Sequence, residues 1–139
     1  MSSPQESQLV LGLINLNSKV QRKIGGALSA HGLGVSEYLV LSQLFESANH
    51  TMRRVDLAEK VGLTASGVTR LLNPMEKVGL VEKVSSSRDA RVSLVKLTSA
   101  GRRVFEEAEV TINHAAESLM AVLNAKQQKD FGKLIQAFG

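Results

Sequence analysis

Cysteine is absent from the 139 residues, which excludes disulfides, thiolate metal sites and cysteine redox chemistry together. Aromatic residues are scarce, at 4% of the chain, so a core has to be built from Leu, Val, Ile and Ala within a hydrophobic content of 43%. That composition suits packed helices, and the length suits one domain, or one lobe with a helical extension. No run approaches the ~18 consecutive apolar residues of a membrane span. The first eight residues are polar and lack the basic-then-apolar order of a secretory signal, so a cytoplasmic protein is expected. Gly-rich phosphate loops, a nucleophile elbow and a catalytic dyad are missing, so neither an enzyme nor a cofactor is expected. His31, His50 and His114 lie far apart and away from carboxylates at ligand spacing, which argues against a metal site. Glu106, Glu107 and Glu109 read as a solvated helix face.

Charge is present but unevenly spread. Eleven Lys and Arg against five Asp and Glu fall between Met52 and Arg103, a local net of +6, while the rest of the chain carries −2. A basic middle between slightly acidic ends fits a polyanion-binding lobe, although a basic patch alone is a weak signal.

Hydrophobic periodicity divides the chain. Leu9, Leu13, Leu16, Val20, Ile24 and Leu28 recur at three- and four-residue steps, predicting a long helix over residues 8–30 with Ser7 as its N-cap. Leu11 and Ile14 widen its apolar face, and Gly25 and Gly26 weaken its last turns by roughly 1 kcal/mol each. A second helix is expected over residues 36–48, capped by Ser36. A short third follows over 55–61, stopped by Gly62, and a fourth, capped by Thr64, runs to Val78 and is closed by Gly79. Pro74 removes one backbone bond inside the fourth helix and should bend it. The period then changes: residues 80–84 and 91–97 read as strands around a polar tip at 85–90, a β-hairpin. Thr98 caps a helix to residue 124, and a last helix covers 125–138. The expected order is α-α-α-α-β-β-α-α.

The segment from Leu57 to Leu72 carries the function. Ala58 is small where two steeply crossed helices touch, and Gly62, four residues later, tolerates the positive φ of the turn between them. Leu57, Val61, Leu63, Val68, Leu71 and Leu72 would lock the pair. Thr64, Ala65, Ser66, Gly67, Thr69, Arg70 and Asn73 are then left at the start and outer face of the second helix, small or hydrogen-bonding groups suited to base edges and phosphates. A hairpin with Arg88 and Arg91 at its tip follows, making a winged helix-turn-helix whose wing offers long cations to a minor groove. Asp89 can pair with Arg88, Arg91 or Arg70 and hold the tip in shape. The plainer alternatives are an αα-corner that binds nothing and a solvated charged turn.

The outer helices carry wide apolar faces. Leu9, Leu13, Leu16, Phe131, Leu134, Ile135 and Phe138 would leave a large exposed patch on a monomer. A two-fold dimer would bury them and set two recognition helices about one DNA turn, ~34 Å, apart.

The run Ser86-Ser87-Arg88-Asp89-Ala90-Arg91, the strand after it, and Leu97-Thr98-Ser99-Ala100-Gly101 together resemble the wing signature of the MarR family of bacterial transcription regulators: Asp-x-Arg, a hydrophobic strand, then Leu-Thr-x-x-Gly. Leu57-Ala58 through Leu80-Val81 is similar to that family's helix-turn-helix, and length and element order agree over nearly the whole chain. The resemblance implies a mainly α fold. A winged helix-turn-helix lobe, residues 35–98, would be flanked by dimerisation helices at 1–34 and 99–139. It implies a homodimer on double-stranded DNA at a pseudo-palindromic operator, with the fourth helix in the major groove, Asp89 bracing the wing and Arg91 in the minor groove. Many members are repressors released by small, often anionic aromatic ligands bound between the lobes. By position Asn17, His31, Tyr38 and Ser42 could line such a site, although each also fits an ordinary surface or core role. The lack of cysteine excludes the family's peroxide-sensing variant. The competing readings are a winged helix that binds a partner protein, which a low salt dependence without sequence preference would reveal, and a dimerisation domain of an enzyme, for which no cofactor motif is present.

Overall fold

A computed structural model describes residues 4–86, 88, 89 and 91–139 of the chain. Six helices and three short strands follow in the order α1 (Gln5–Ser29), α2 (Val35–Glu46), β1 (Thr51–Arg53), α3 (Arg54–Val61), α4 (Ala65–Lys77), β2 (Val81–Ser85), β3 (Ser93–Leu97), α5 (Ser99–Met120) and α6 (Ala125–Gln136). No described helix is long and apolar enough to cross a membrane.

The core is aliphatic, as the composition requires. Leu28 from α1, Val40, Leu41 and Leu44 from α2, Leu57 from α3, Leu72 and Met75 from α4, and Val95 from β3 are all fully buried. Phe105 of α5 is the aromatic centre of this cluster, with Tyr38 stacked on it at 5.3 Å and Phe45 tilted against it at 4.8 Å between ring centroids. α1 divides in two. Its last turns enter the core through Ile24 and Leu28, while Leu9, Leu11, Leu13, Ile14 and Leu16 of its first turns are exposed. Every residue of α6 except Phe131 is exposed as well.

The sheet holds one strand more than the periodicity predicts. β3 is central, pairing antiparallel with β2 on one side and with β1 on the other, in the register Thr51↔Lys96 and Val81↔Leu97. β1 is reached through a tight 3-10 turn, Ala48–His50, in which Asn49 and His50 both take positive φ, at 57° and 54°. The His50 ring stacks on Phe45 and its Nδ1 lies 3.0 Å from the Phe45 carbonyl, which holds the turn in place.

Several expected boundaries are corrected. α1 starts at Gln5 behind Pro4, so Ser7 lies inside the helix and caps nothing. α2 begins at Val35 behind an N-cap at Gly34, whose N–H donates to Glu37 Oε1 at 2.7 Å, so Ser36 is already helical, and the helix ends at Glu46. The strands occupy 81–85 and 93–97 rather than 80–84 and 91–97. α5 stops at Met120. Asn124 accepts from the Gln127 N–H while Gln127 accepts from the Asn124 N–H, a capping box that starts α6. Of the hairpin tip, Ser87 and Ala90 lie outside the described residues.

The joint between α4, β3 and α5 is unusually close. Thr98 caps α5, accepting from the Gly101 N–H at 3.0 Å, while its hydroxyl reaches the Gly79 and Leu80 carbonyls and its N–H donates to the Leu80 carbonyl at 3.1 Å. Gly101 is buried, and a Cβ there would sit 2.1 Å from the Leu80 carbonyl oxygen. The Leu-Thr-x-x-Gly pattern thus has a physical reading: Leu97 fills the core, Thr98 caps and ties, and Gly101 admits the backbone of Leu80.

Candidate nucleic-acid interface

The helix-turn-helix forms as the residue pattern requires. Gly62 ends α3 in the left-handed region at φ 73°, Ala58 is buried at the crossing, and Thr64 Oγ1 caps α4 by accepting from the Gly67 N–H at 3.0 Å. Replacing Thr64 with alanine should cost about 1 kcal/mol in chemical unfolding, the usual loss for an N-cap threonine. An unchanged midpoint would show that the α4 start is held elsewhere.

Thr64, Ala65, Ser66, Thr69, Arg70 and Asn73 are exposed on α4 and its cap. Gly67 is not fully outward. It is half-buried, its N–H is spent on Thr64, and a Cβ there would meet Thr64 Oγ1 at 3.1 Å. Its smallness leaves room for the cap. Pro74 lies in the tenth position of α4, within the helix.

On the wing, Asp89 accepts from the Arg91 N–H at 2.9 Å and from Arg91 Nε at 3.2 Å, and Nη2 of Arg91 is 3.4 Å from the other carboxylate oxygen. The Arg91 backbone N–H, and then its guanidinium, hold the Asp89 carboxyl below the ordinary carboxylate range. The pair is open to solvent, with the Arg91 side chain 92% exposed, so it shapes the tip more than it stabilises the fold. Ser86 Oγ accepts from the N–H groups of Arg88 and Asp89, and Arg88 itself is exposed.

Ala65 and Thr69 of α4 face Arg91, Val92 and Ser93 of the wing across a cleft of about 500 Å³, with Arg53 and Arg54 on its third side. Of the residues singled out in the sequence, the structure brings Ala65, Thr69 and Arg91 together there. Ser66, Arg70, Asn73 and Arg88 lie outside the lining of the cleft.

The four residues placed by position near a ligand site lie on α1, α2 and the turn between them. Asn17 lies beside the exposed groove between α1 and α6. His31 Nε2 is 2.7 Å from Thr111 Oγ1, tying the end of α1 to α5. Tyr38 is stacked on Phe105, and burial, with a smaller contribution from Glu109, pushes its hydroxyl pKa up. Ser42 is half-buried on α2. Neither the α4–wing cleft nor the α1/α6 groove is lined by His31, Tyr38 or Ser42.

Sequence reasoning singled out neither Arg53 nor Arg54 of this surface. Arg54 counts in the sequence as another cation of the basic segment, yet its side chain is only 16% exposed and its Nη2 donates to Thr69 Oγ1 at 2.9 Å.

Two packed helices joined by a tight turn, the second with an exposed outer face, followed by a hairpin wing, define a winged helix-turn-helix protein. Residues 33–93 match the family model described as MarR family. Among curated relatives, the HTH-type transcriptional regulator PrsX of Escherichia coli is 28% identical over 88% of this chain and 80% of its own length. The HTH-type transcriptional repressor Rv2887 of Mycobacterium tuberculosis is 26% identical over 91% and 90%. Among solved structures, a mutant MarR from Escherichia coli complexed with operator DNA shares the fold at a TM-score of 0.85, with 24% identity and 99% of both chains covered.

Proposed function

We propose that this protein is a homodimeric, sequence-specific DNA-binding transcriptional regulator, acting as a repressor at a pseudo-palindromic operator in the cytoplasm, and not an enzyme. The observation that carries the reading is the juxtaposition of an exposed, hydrogen-bonding α4 face with an Asp89-shaped wing that holds Arg91 out in solvent. In this reading Ser66, Thr69, Arg70 and Asn73, with the helix start at Thr64, Ala65 and Gly67, meet the major groove, and Arg91 with Arg88 meets the minor groove. The DNA-binding lobe is residues 35–98, and residues 1–34 and 99–139 form the dimer lobe. The names of the relatives and the operator-bound neighbour support this reading. A small aromatic anion is the class of effector in this reading, with Asn17, His31, Tyr38 and Ser42 as the residues placed by position at its site.

Selection from a pool of random duplexes, repeated across salt concentrations, tests the proposal. An inverted-repeat consensus with a steep salt dependence is the expected result. A shallow dependence with no enriched sequence would replace it by a winged helix that binds a partner protein. On the selected site, Arg91→Ala should weaken binding and flatten the log–log salt slope by about one unit, the share of one groove or phosphate cation. Unchanged affinity and slope would remove the wing from the interface.

A further inference from the structure

Arg54, the first residue of α3, lies along α4. Nη2 donates to Thr69 Oγ1 at 2.9 Å, and Nη1 is 3.7 Å from Glu76 Oε1. Nη1 and that carboxylate oxygen are both closed to solvent and neither has a hydrogen-bond partner. At 3.7 Å they attract as charges without forming a hydrogen bond. Thr69 and Glu76 are seven positions apart, two helical turns, so one face of α4 presents both to the same guanidinium. This cation is already engaged inside the lobe and is not presented as a phosphate ligand.

The consequence falls on Thr69. A threonine hydroxyl has one hydrogen to donate and two lone pairs. Here a lone pair is held by a cationic donor, so the hydrogen is directed away from the guanidinium, and Thr69 is exposed. A charge-assisted bond to the oxygen also polarises the O–H and strengthens it as a donor. We propose that Arg54 is a positioning residue for DNA reading: it fixes the Thr69 hydroxyl as a donor, so that Thr69 selects an acceptor on DNA. In the major groove the acceptors are N7 and O6 of guanine, N7 of adenine and O4 of thymine, and on the backbone they are phosphate oxygens; the amino edge of cytosine is disfavoured. The inference rests on α4 being the DNA-facing helix, as proposed above.

The test begins with duplexes selected by the unmodified full-length protein, followed by affinities for Thr69→Val, Thr69→Ser, Arg54→Gln and the double variant Arg54→Gln with Thr69→Val, each with a thermal unfolding curve. Thr69→Val should weaken binding ~10-fold, the loss of one hydrogen bond at a desolvated contact. Thr69→Ser should recover most of that loss. In the Arg54→Gln background the valine substitution should cost less than ~3-fold, because the hydroxyl is no longer directed. If Arg54→Gln does not fold, because it strands the Glu76 carboxylate, the same cycle is run with Glu76→Gln added. An equal cost of Thr69→Val in both backgrounds would overturn the assignment and reduce Arg54 to a brace between α3 and α4. No selected duplex from the unmodified protein would instead overturn the DNA reading itself.

Discussion

Replacing Gly101 with alanine is expected to lower the thermal unfolding midpoint by more than about 10 °C, the largest loss of any glycine-to-alanine change in this chain. The added Cβ would lie 2.1 Å from the Leu80 carbonyl oxygen, 3.0 Å from its carbonyl carbon and 2.8 Å from Leu97 Cδ1. A side chain can rotate out of the way, but the Leu80 carbonyl cannot. It accepts from both the N–H and the hydroxyl of Thr98, so displacing it also breaks the tie between α4 and α5. Overpacking usually costs about 1–3 kcal/mol, and a clash with a fixed backbone belongs at or above the top of that range. For a domain of this length each kcal/mol moves the midpoint by about 3–5 °C. Gly79 makes the control. It needs its glycine for a φ of 80° but has open space around the missing Cβ, so Gly79→Ala should cost only about 1 kcal/mol. If Gly101→Ala melts with the unmodified protein, α5 does not start against Leu80 in this way.

Leu13→Glu should convert the protein from dimer to monomer in sedimentation and weaken operator binding by ~100-fold or more, because the second half-site is then no longer bound intramolecularly. Leu13 lines a groove of about 770 Å³ between α1 and α6 together with Leu9, Leu16, Leu134, Ile135 and Phe138. Within one chain these side chains are largely open, Leu13 at 48% and Phe138 at 83% exposure. A charge at such a site costs an isolated monomer almost nothing, typically within about 0.5 kcal/mol. Between two copies the same charge would be buried without a partner, which is far more expensive. The substitution therefore separates a partnered groove from a bare one. A variant that stays dimeric with full affinity would place the subunit contact elsewhere.

The parts of the fold that were legible in the sequence are those fixed by local chemistry. Gly62 and Thr64 mark the turn between α3 and α4 because a left-handed residue and a capping hydroxyl are local demands, met within four residues. The apolar set Leu9, Leu13, Leu16, Phe131, Leu134, Ile135 and Phe138, expected to leave an exposed patch on a monomer, lines one open groove. β1 was not legible. Three residues, Thr51–Arg53, carry no alternation, and they become a strand only by pairing with Val95 and its neighbours more than 40 positions away. Serine misled twice. Ser7 and Ser36 are good caps by type, but Pro4 starts α1 three residues earlier, and the Gly34 N–H finds Glu37 instead. Arg54 escaped for a related reason. Its charge suggested the surface, while its place against Thr69 and Glu76 depends on how α3 crosses α4, which no local pattern encodes.

The tie at Thr98 makes α5 a lever. Its 22 residues span about 33 Å, and at its near end the Thr98 hydroxyl and the Gly101 gap clamp it to the chain leaving α4. Because that end is clamped against Leu80, a tilt imposed at the α6 end would reach the chain leaving α4 through the clamp. A rotation of about 5° over that arm moves its tip by about 3 Å, close to the rise between neighbouring base pairs along one strand. In the proposed dimer, a small angular adjustment where two copies meet would thus step α4 out of register with its half-site.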